Sequence, residues 1–271
     1  MSEDRILASC DRKVRAYNSQ KNTFGLLPGP KETCPNATTE KGGCWYIAPG
    51  KKLPTCYVTS TMQVYKNVAR ILEHNTAILK TATQAEMSKI LNAEFQRFRT
   101  TELRRKKRGL SMTLHYRLHW SGDIFNTAYA KALADSIQFN NDITFWCYTR
   151  SFFSVPILCN IDNLILYLSL DPVNIQAGLT TYTDNKTSTN NLSIAYMNNT
   201  DDFPSYLNDV LKISKGRNMI RQLLTSPLKF LRINDIDSLQ PCPVDLKNIP
   251  LDGGCRHCKQ WQKAVPVFFK T

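Results

Sequence analysis

Apolar positions along the chain fall into two spacings, and the order in which those spacings alternate predicts the architecture. Val64, Val68, Ile71, Leu72, Ile78 and Leu79 recur every three or four residues, which marks one face of a helix. Thr83-Gln-Ala-Glu86 has the form of a capping box. It opens a second helical stripe of Met87, Ile90, Leu91, Phe95 and Phe98. Ser111 to Trp120 alternates apolar and polar residues, as a strand does. A helix is expected from about Asn126, carrying Tyr129, Ala132, Leu133 and Ile137. Near-continuous apolar runs follow at Ile143–Thr149, Leu164–Leu170 and Leu192–Met197. Ile157–Ile161 is too short for a full helix, so that crossover is expected to be irregular. Residues 203–231 return to helical spacing through Tyr206, Val210, Leu211, Ile220 and Leu223. Near the start, Phe24-Gly-Leu-Leu-Pro-Gly-Pro reads as a short strand running into a turn.

Apolar strands separated by stretches long enough for crossovers predict an α/β fold, a parallel sheet covered by helices. The expected form is a partial or complete parallel β/α barrel over residues 1–235. A loop-rich, cysteine-bearing tail over 236–271 follows it. With 271 residues the chain can bury a core of this size. No run of about 18 apolar residues occurs, so no membrane span is expected. The stretch Met1–Cys10 is too charged, and its apolar run too short, for a secretion signal. A cytoplasmic protein is the expectation.

Charge changes the picture of partners. A net charge of +13 and a pI near 9.4 suit a polyanion, either a nucleic acid or a nucleotide substrate. They suit equally a solvated basic surface on an enzyme with a small anionic substrate. The run Arg104-Arg-Lys-Lys-Arg108 has the same two readings, a solvated loop or a set of nucleic-acid contacts.

Cysteines supply the candidate chemistry. Nine occur, at 10, 34, 44, 56, 147, 159, 242, 255 and 258. In a reducing compartment clustered thiols point to metal rather than disulfides. Cys34, Cys44 and Cys56 share one loop of Gly, Pro, Thr and Lys, which cannot pack a core alone. A shared metal or iron–sulfur cluster explains them; the plainer reading is three small, half-buried apolar side chains. Cys147 and Cys159 lie in apolar surroundings and read as packing residues. In the tail, Cys242-Pro…Cys255-Arg-His-Cys258 combines a Cys-x2-Cys knuckle with a distant thiol. Zinc held by Cys242, Cys255, Cys258 and His257, a second iron–sulfur cluster, one metal shared with the first loop, and no metal at all remain open there.

Polar residues end each apolar run: Ser121-Gly122-Asp123, Thr149-Arg150 and Ser169-Leu-Asp171. In parallel α/β folds the functional groups gather at these carboxyl ends, although Ser, Gly and Asp also form ordinary turns and caps. His119, near this rim, is a candidate general acid or base, or else a satisfied core histidine. His115 and His119 share a strand face but lack a nearby glutamate. No phosphate-loop, dinucleotide-binding or serine-hydrolase signature is present.

Four motifs occur in order between about residues 24 and 261. They are Thr33-Cys34-Pro…Cys44…Cys56-Tyr57, Arg117-Leu-His-Trp-Ser-Gly-Asp123, Phe145-Trp-Cys-Tyr-Thr-Arg-Ser151 and Cys255-Arg-His-Cys258. Together they resemble the phage and plasmid proteins of the gene product 88 family. That layout in turn resembles radical S-adenosylmethionine (SAM) barrels, where a three-cysteine loop after the first strand holds a [4Fe–4S] cluster. The resemblance implies Cys34, Cys44 and Cys56 as cluster ligands. It implies Ser121-Gly122-Asp123 as the segment holding the SAM amino group, with Asp123 as acceptor. Arg150 is then a candidate partner for the SAM carboxylate, and Ser169 a further rim contact. An electron donor and a host-cell cytoplasmic location are implied as well. One departure stands out: that superfamily uses Cys-x3-Cys-x2-Cys, whereas nine and eleven residues separate the cysteines here. The competing expectation is a non-enzymatic, zinc-stabilised nucleic-acid-binding or interaction protein.

Overall fold

The computed structural model of the chain describes residues 5–9, 21–110, 112, 114–185, 191–198, 240–241 and 267–270. Helices α1 (Tyr57–Val64), α2 (Lys66–Lys80) and α3 (Gln84–Lys107) precede strand β1 (His115–Leu118). Helix α4 (Thr127–Phe139) leads to β2 (Thr144–Thr149), and a 3-10 turn at Phe152–Ser154 with the short α5 (Val155–Leu158) leads to β3 (Leu164–Leu170). Helix α6 (Ile175–Asn185), β4 (Leu192–Asn198), β5 (Gln240–Pro241) and β6 (Val267–Lys270) complete the series.

Local sequence explains where the long helices begin. Thr83 caps α3 through the backbone N–H of Glu86, and the Glu86 carboxylate returns a bond to the Thr83 backbone. The Asn126 side chain accepts from the Tyr129 N–H at 2.7 Å and starts α4. The crossover between β2 and β3 is irregular, as its length predicts. The expected strand over 111–120 is regular only from His115 to Leu118. The helical pattern at 203–231 lies outside the described residues, as do Cys242, Cys255, His257 and Cys258.

The sheet order is β1-β2-β3-β4-β6-β5, and every pairing is parallel. The first four strands advance in one direction without reversal. Beside β1 runs the extended segment 22–27, joined by a parallel bridge at Thr23–Arg117. The Arg117 and Trp120 N–H groups bond to the Asn22 and Phe24 carbonyls, and the Leu26 N–H bonds to the Ser121 carbonyl. This is the short strand expected before the cysteine loop. The segments 240–241 and 267–270 join the same sheet as β4, although they fall in the stretch expected to form a separate tail.

The fold is therefore α/β with a parallel sheet. The expected barrel is not closed: among the described residues no pairing returns from β5 to β1 or to the 22–27 segment. One sheet face carries Phe145, Cys147, Leu164, Leu166, Leu168, Leu192 and Ile194 into a core shared with Leu91 and Phe95 of α3 and with Leu133 and Ile137 of α4. Cys147 and Cys159 are buried in this core, as their apolar surroundings predict. On the opposite face the Arg117 guanidinium lies 5.1 Å from the centre of the Trp146 ring, and Tyr148 packs 5.0 Å from Tyr167. Parallel strands buried on both faces require such side chains on each.

Candidate functional site

The carboxyl ends of the strands gather the polar groups. Asp123, just past β1, is buried and fully engaged. Its Oδ1 accepts from the Ile124 N–H at 2.7 Å and the Thr149 hydroxyl at 2.6 Å, and its Oδ2 accepts from the Arg150 N–H at 2.8 Å. The ends of β1 and β2 are thereby clasped. Burial pushes the Asp123 carboxyl above its ordinary range, and the bonds from Thr149, Arg150 and Ile124 oppose that shift.

Asp171, just past β3, makes the second clasp. Its Oδ1 accepts from the Val173 and Asn174 N–H groups, each at 3.0 Å, which fixes the turn into α6. Its Oδ2 accepts from Arg150 Nη1 and, at 2.6 Å, from the Thr38 hydroxyl. Thr38 belongs to the cysteine loop. Its oxygen in turn accepts from the Cys44 N–H at 2.9 Å, and its carbonyl accepts from the Trp45 N–H at 2.8 Å. The Cys44 Sγ stands 3.8 Å from that hydroxyl. Gly43 permits the turn, because a Cβ there would lie 2.4 Å from the Thr38 carbonyl oxygen.

The other two thiols are anchored differently. The Cys34 N–H bonds to the Gly29 carbonyl at 2.9 Å, beside Thr33, whose hydroxyl donates to the Leu27 carbonyl at 2.7 Å. Cys56 precedes α1 as its N-cap residue, and the Tyr57 hydroxyl donates to the Trp120 carbonyl at the end of β1. All three thiols are half-buried. Burial pushes the Cys34 thiol well above its ordinary range, and the charges of Asp123, Cys56 and Cys44 add to the shift. Burial raises Cys56 too, opposed by the Val58 N–H, with the charge of Cys44 adding to the rise and that of Arg150 opposing it. Charges act on one another in this way only at close range. The three thiols, Asp123 and Arg150 therefore share one neighbourhood. Among the described residues, however, no three His, Cys, Asp or Glu side chains are gathered so as to hold one metal ion.

Arg150 is the hub. Its backbone meets Asp123 and its Nη1 meets Asp171, while its buried Nη2 has no partner among the described residues. Ser169 stands one residue beyond Leu168, the register partner of Thr149, and so lies beside Arg150 on the rim. Ser121 plays a different part from the one expected. Its hydroxyl donates to the Leu26 carbonyl at 2.8 Å, so this side chain ties the 22–27 segment to β1. Gly122 has φ +79°, and a Cβ there would lie 2.5 Å from Thr33 Oγ1 and 2.6 Å from Leu26 Cβ. Glycine is thus required for close packing at that position.

His119 carries two readings, a rim acid or base and a core histidine. It has φ +55° and points into the core. There its Nε2 lies 2.6 Å from the Tyr129 hydroxyl, and its ring meets the edge of Phe24 at 5.0 Å. Burial, helped by the Arg117 charge, pushes its pKa down to about 3. These surroundings match the core reading. Sequence reasoning had no means of finding Thr38, whose role depends on a partner 133 residues away.

The model of the family described as Gene product 88 matches residues 6–261. The Gene 88 protein of Mycobacterium phage L5 is 32% identical over 183 residues, covering 63% of this chain and 70% of that protein. The Gene 88 protein of Mycobacterium phage D29 is 31% identical over 156 residues, covering 57% of this chain and 58% of that protein. No solved structure matches the chain. No helix among the described residues is long and apolar enough to cross a membrane. With the match running through the cysteine loop, the rim motifs and the tail knuckle alike, the chain belongs to the gene product 88 family.

Proposed function

We propose that this protein is an iron–sulfur protein of radical SAM type, with Cys34, Cys44 and Cys56 as the ligands of a [4Fe–4S] cluster. What supports the reading is one loop with three thiols, anchored at the carboxyl edge of a parallel sheet, where the charge of Asp123 acts on Cys34 and that of Arg150 on Cys56. The donor set is of the right chemical kind, three half-buried free thiols on one loop. A single tetrahedral ion with bonds of about 2.3 Å would draw its sulfurs to about 3.8 Å from one another. A [4Fe–4S] cluster would be held by Cys34, Cys44 and Cys56, one thiolate to each of three irons. Three thiolates also leave one iron free for a ligand.

When bound, the cluster and SAM supply one-electron cleavage of the sulfonium and abstraction of a hydrogen from the substrate, with the electron coming from a separate donor. The chain's own residues do the positioning. Asp171, through Thr38, holds the Cys44 backbone to the ends of β2 and β3. The unpartnered Arg150 nitrogen is the kind of buried donor that a ligand carboxylate satisfies. Asp123 would stand at this rim as an acceptor for the SAM amino group, and Ser169 lines the same rim. Burial favours the protonated form of Cys34, so loading the cluster must release its proton. A nucleotide or nucleic acid base is the proposed substrate class, in keeping with the net charge of +13.

Anaerobic reconstitution tests the reading. The expected product is brown, absorbs near ~400 nm, and yields methionine from SAM on reduction. Cys56→Ala should lose iron while its melting curve stays close to that of the parent. A parent protein that takes up no iron and sulfide overturns the proposal. Zinc at the Cys242, Cys255 and Cys258 tail with no iron anywhere would favour the zinc-stabilised binding protein instead.

A further inference from the structure

Helix α3 runs beside α4 in the same direction, with Ser88 against Ser136, Asn92 against Asn140 and Arg99 against Asp142, so its last turn lies toward the start of β2, at the amino edge of the sheet. That turn holds Arg104, Arg105, Lys106 and Lys107, with Arg108 as the C-cap. Only Arg105 is turned inward, where it pairs with the buried Glu102 at 3.3 Å. Arg104, Lys106, Lys107 and Arg108 are exposed. The platform beneath them is rigid: α3 is capped at Thr83, its Leu91, Phe95 and Phe98 are buried, and Glu94 bonds to the Tyr116 hydroxyl of β1 at 3.1 Å.

We infer that the exposed cations Arg104, Lys106, Lys107 and Arg108 form a docking surface for the phosphate backbone of duplex DNA, on the edge of the sheet away from the thiols. Favourable placement of cations against the helix dipole explains one or two of them, not four exposed cations within five residues. The net charge of +13 supplies the same preference at long range. The surface reads no bases, because nothing on it is arranged for a groove; it supplies affinity and not sequence choice. It does not rest on the iron–sulfur reading, and it could not deliver a base to the thiol edge of the same molecule by itself.

The test is binding of a random-sequence DNA duplex to the full chain as a function of salt. Four phosphate contacts predict a slope of about −3.6 in log affinity against log salt, or a loss of about 150-fold between 50 and 200 mM. Replacing Arg104, Lys106, Lys107 and Arg108 together by Gln should flatten the slope by about that amount. Replacing only Arg104 and Arg108 by Lys should keep it. An unchanged slope in the Gln variant with an unchanged melting curve overturns the inference. So does a parent protein that fails to bind the duplex at low salt, or that binds phosphatidylserine vesicles and not DNA. Iron content and SAM cleavage are measured separately, so either proposal can fail alone.

Discussion

The two edges of the sheet use charge in opposite ways. At the carboxyl edge Asp123, Arg150 and Asp171 are buried, and both carboxylates are bonded to strand ends, to Arg150 or to the cysteine loop. At the amino edge the cations of α3 stand in solvent, and the Arg99–Asp142 pair is only partly covered. Buried charges in low dielectric are costly unless geometry is well matched, so they define a shape. Exposed charges contribute little to stability and stay available to a partner. A chain with one overall charge thus builds a site at one edge and leaves a surface at the other.

The sharpest way to break this comparison is to remove the carboxylate at its centre. Asp171→Ala should leave the Arg150 guanidinium buried without its ion pair and the turn into α6 without its acceptor. A loss of about 3–5 kcal/mol is expected in denaturant melts. A loss near ~0.5 kcal/mol, the usual scale of a surface substitution, would place Asp171 with the exposed charges instead.

Acid should act through the interior behind the rim. The pKa of His119 is lowered to about 3 from 6.5 in the unfolded chain. Below pH 6.5 the unfolded chain takes up a proton that the folded one refuses, so stability is complete above that pH. It falls as pH drops toward 3, by about 1.4 kcal/mol per pH unit at most. Asp123, with its carboxyl raised by burial, works in the reverse direction and gains stability on acidification. His119→Asn, which tolerates a positive φ, should flatten the acid slope of the melting temperature. An unchanged slope would assign the acid response to other groups.

Thr38→Val tests the loop itself. It deletes both the bond to Asp171 and the acceptor for the Cys44 N–H, at an expected cost of about 1–3 kcal/mol. In metal-free protein Cys44 should then be alkylated faster, with Cys34 and Cys56 little changed, and Thr38→Ser should restore the parent rate. Equal acceleration at all three thiols would mean general loosening rather than a specific anchor.

Much of the scaffold was legible locally. The capping box at Thr83, the cap at Asn126 and the apolar runs of β2, β3 and β4 depend on neighbours within a few residues. The rim motifs were legible too, since a strand end must carry turn-forming polar residues. Their division of labour was not. Ser121 spends its hydroxyl on Leu26, and Gly122 is small because Thr33 and Leu26 press against it. His119, two residues before Ser121, turns away into the core because a left-handed backbone reverses its direction.

What the sequence by itself determined is the set of elements, their order, and the presence of three thiols in a loop too polar to pack alone. Periodicity and capping are short-range physics, and they survive without knowledge of the fold. Tertiary structure alone decided how the loop bearing Cys34, Cys44 and Cys56 is anchored, because spacings of nine and eleven residues permit many loop paths. The path taken is selected by Asp171, 133 residues beyond Thr38. It also decided that the cations of α3 face solvent at the far edge. That placement follows from the direction of a helix relative to its sheet, which no local pattern encodes.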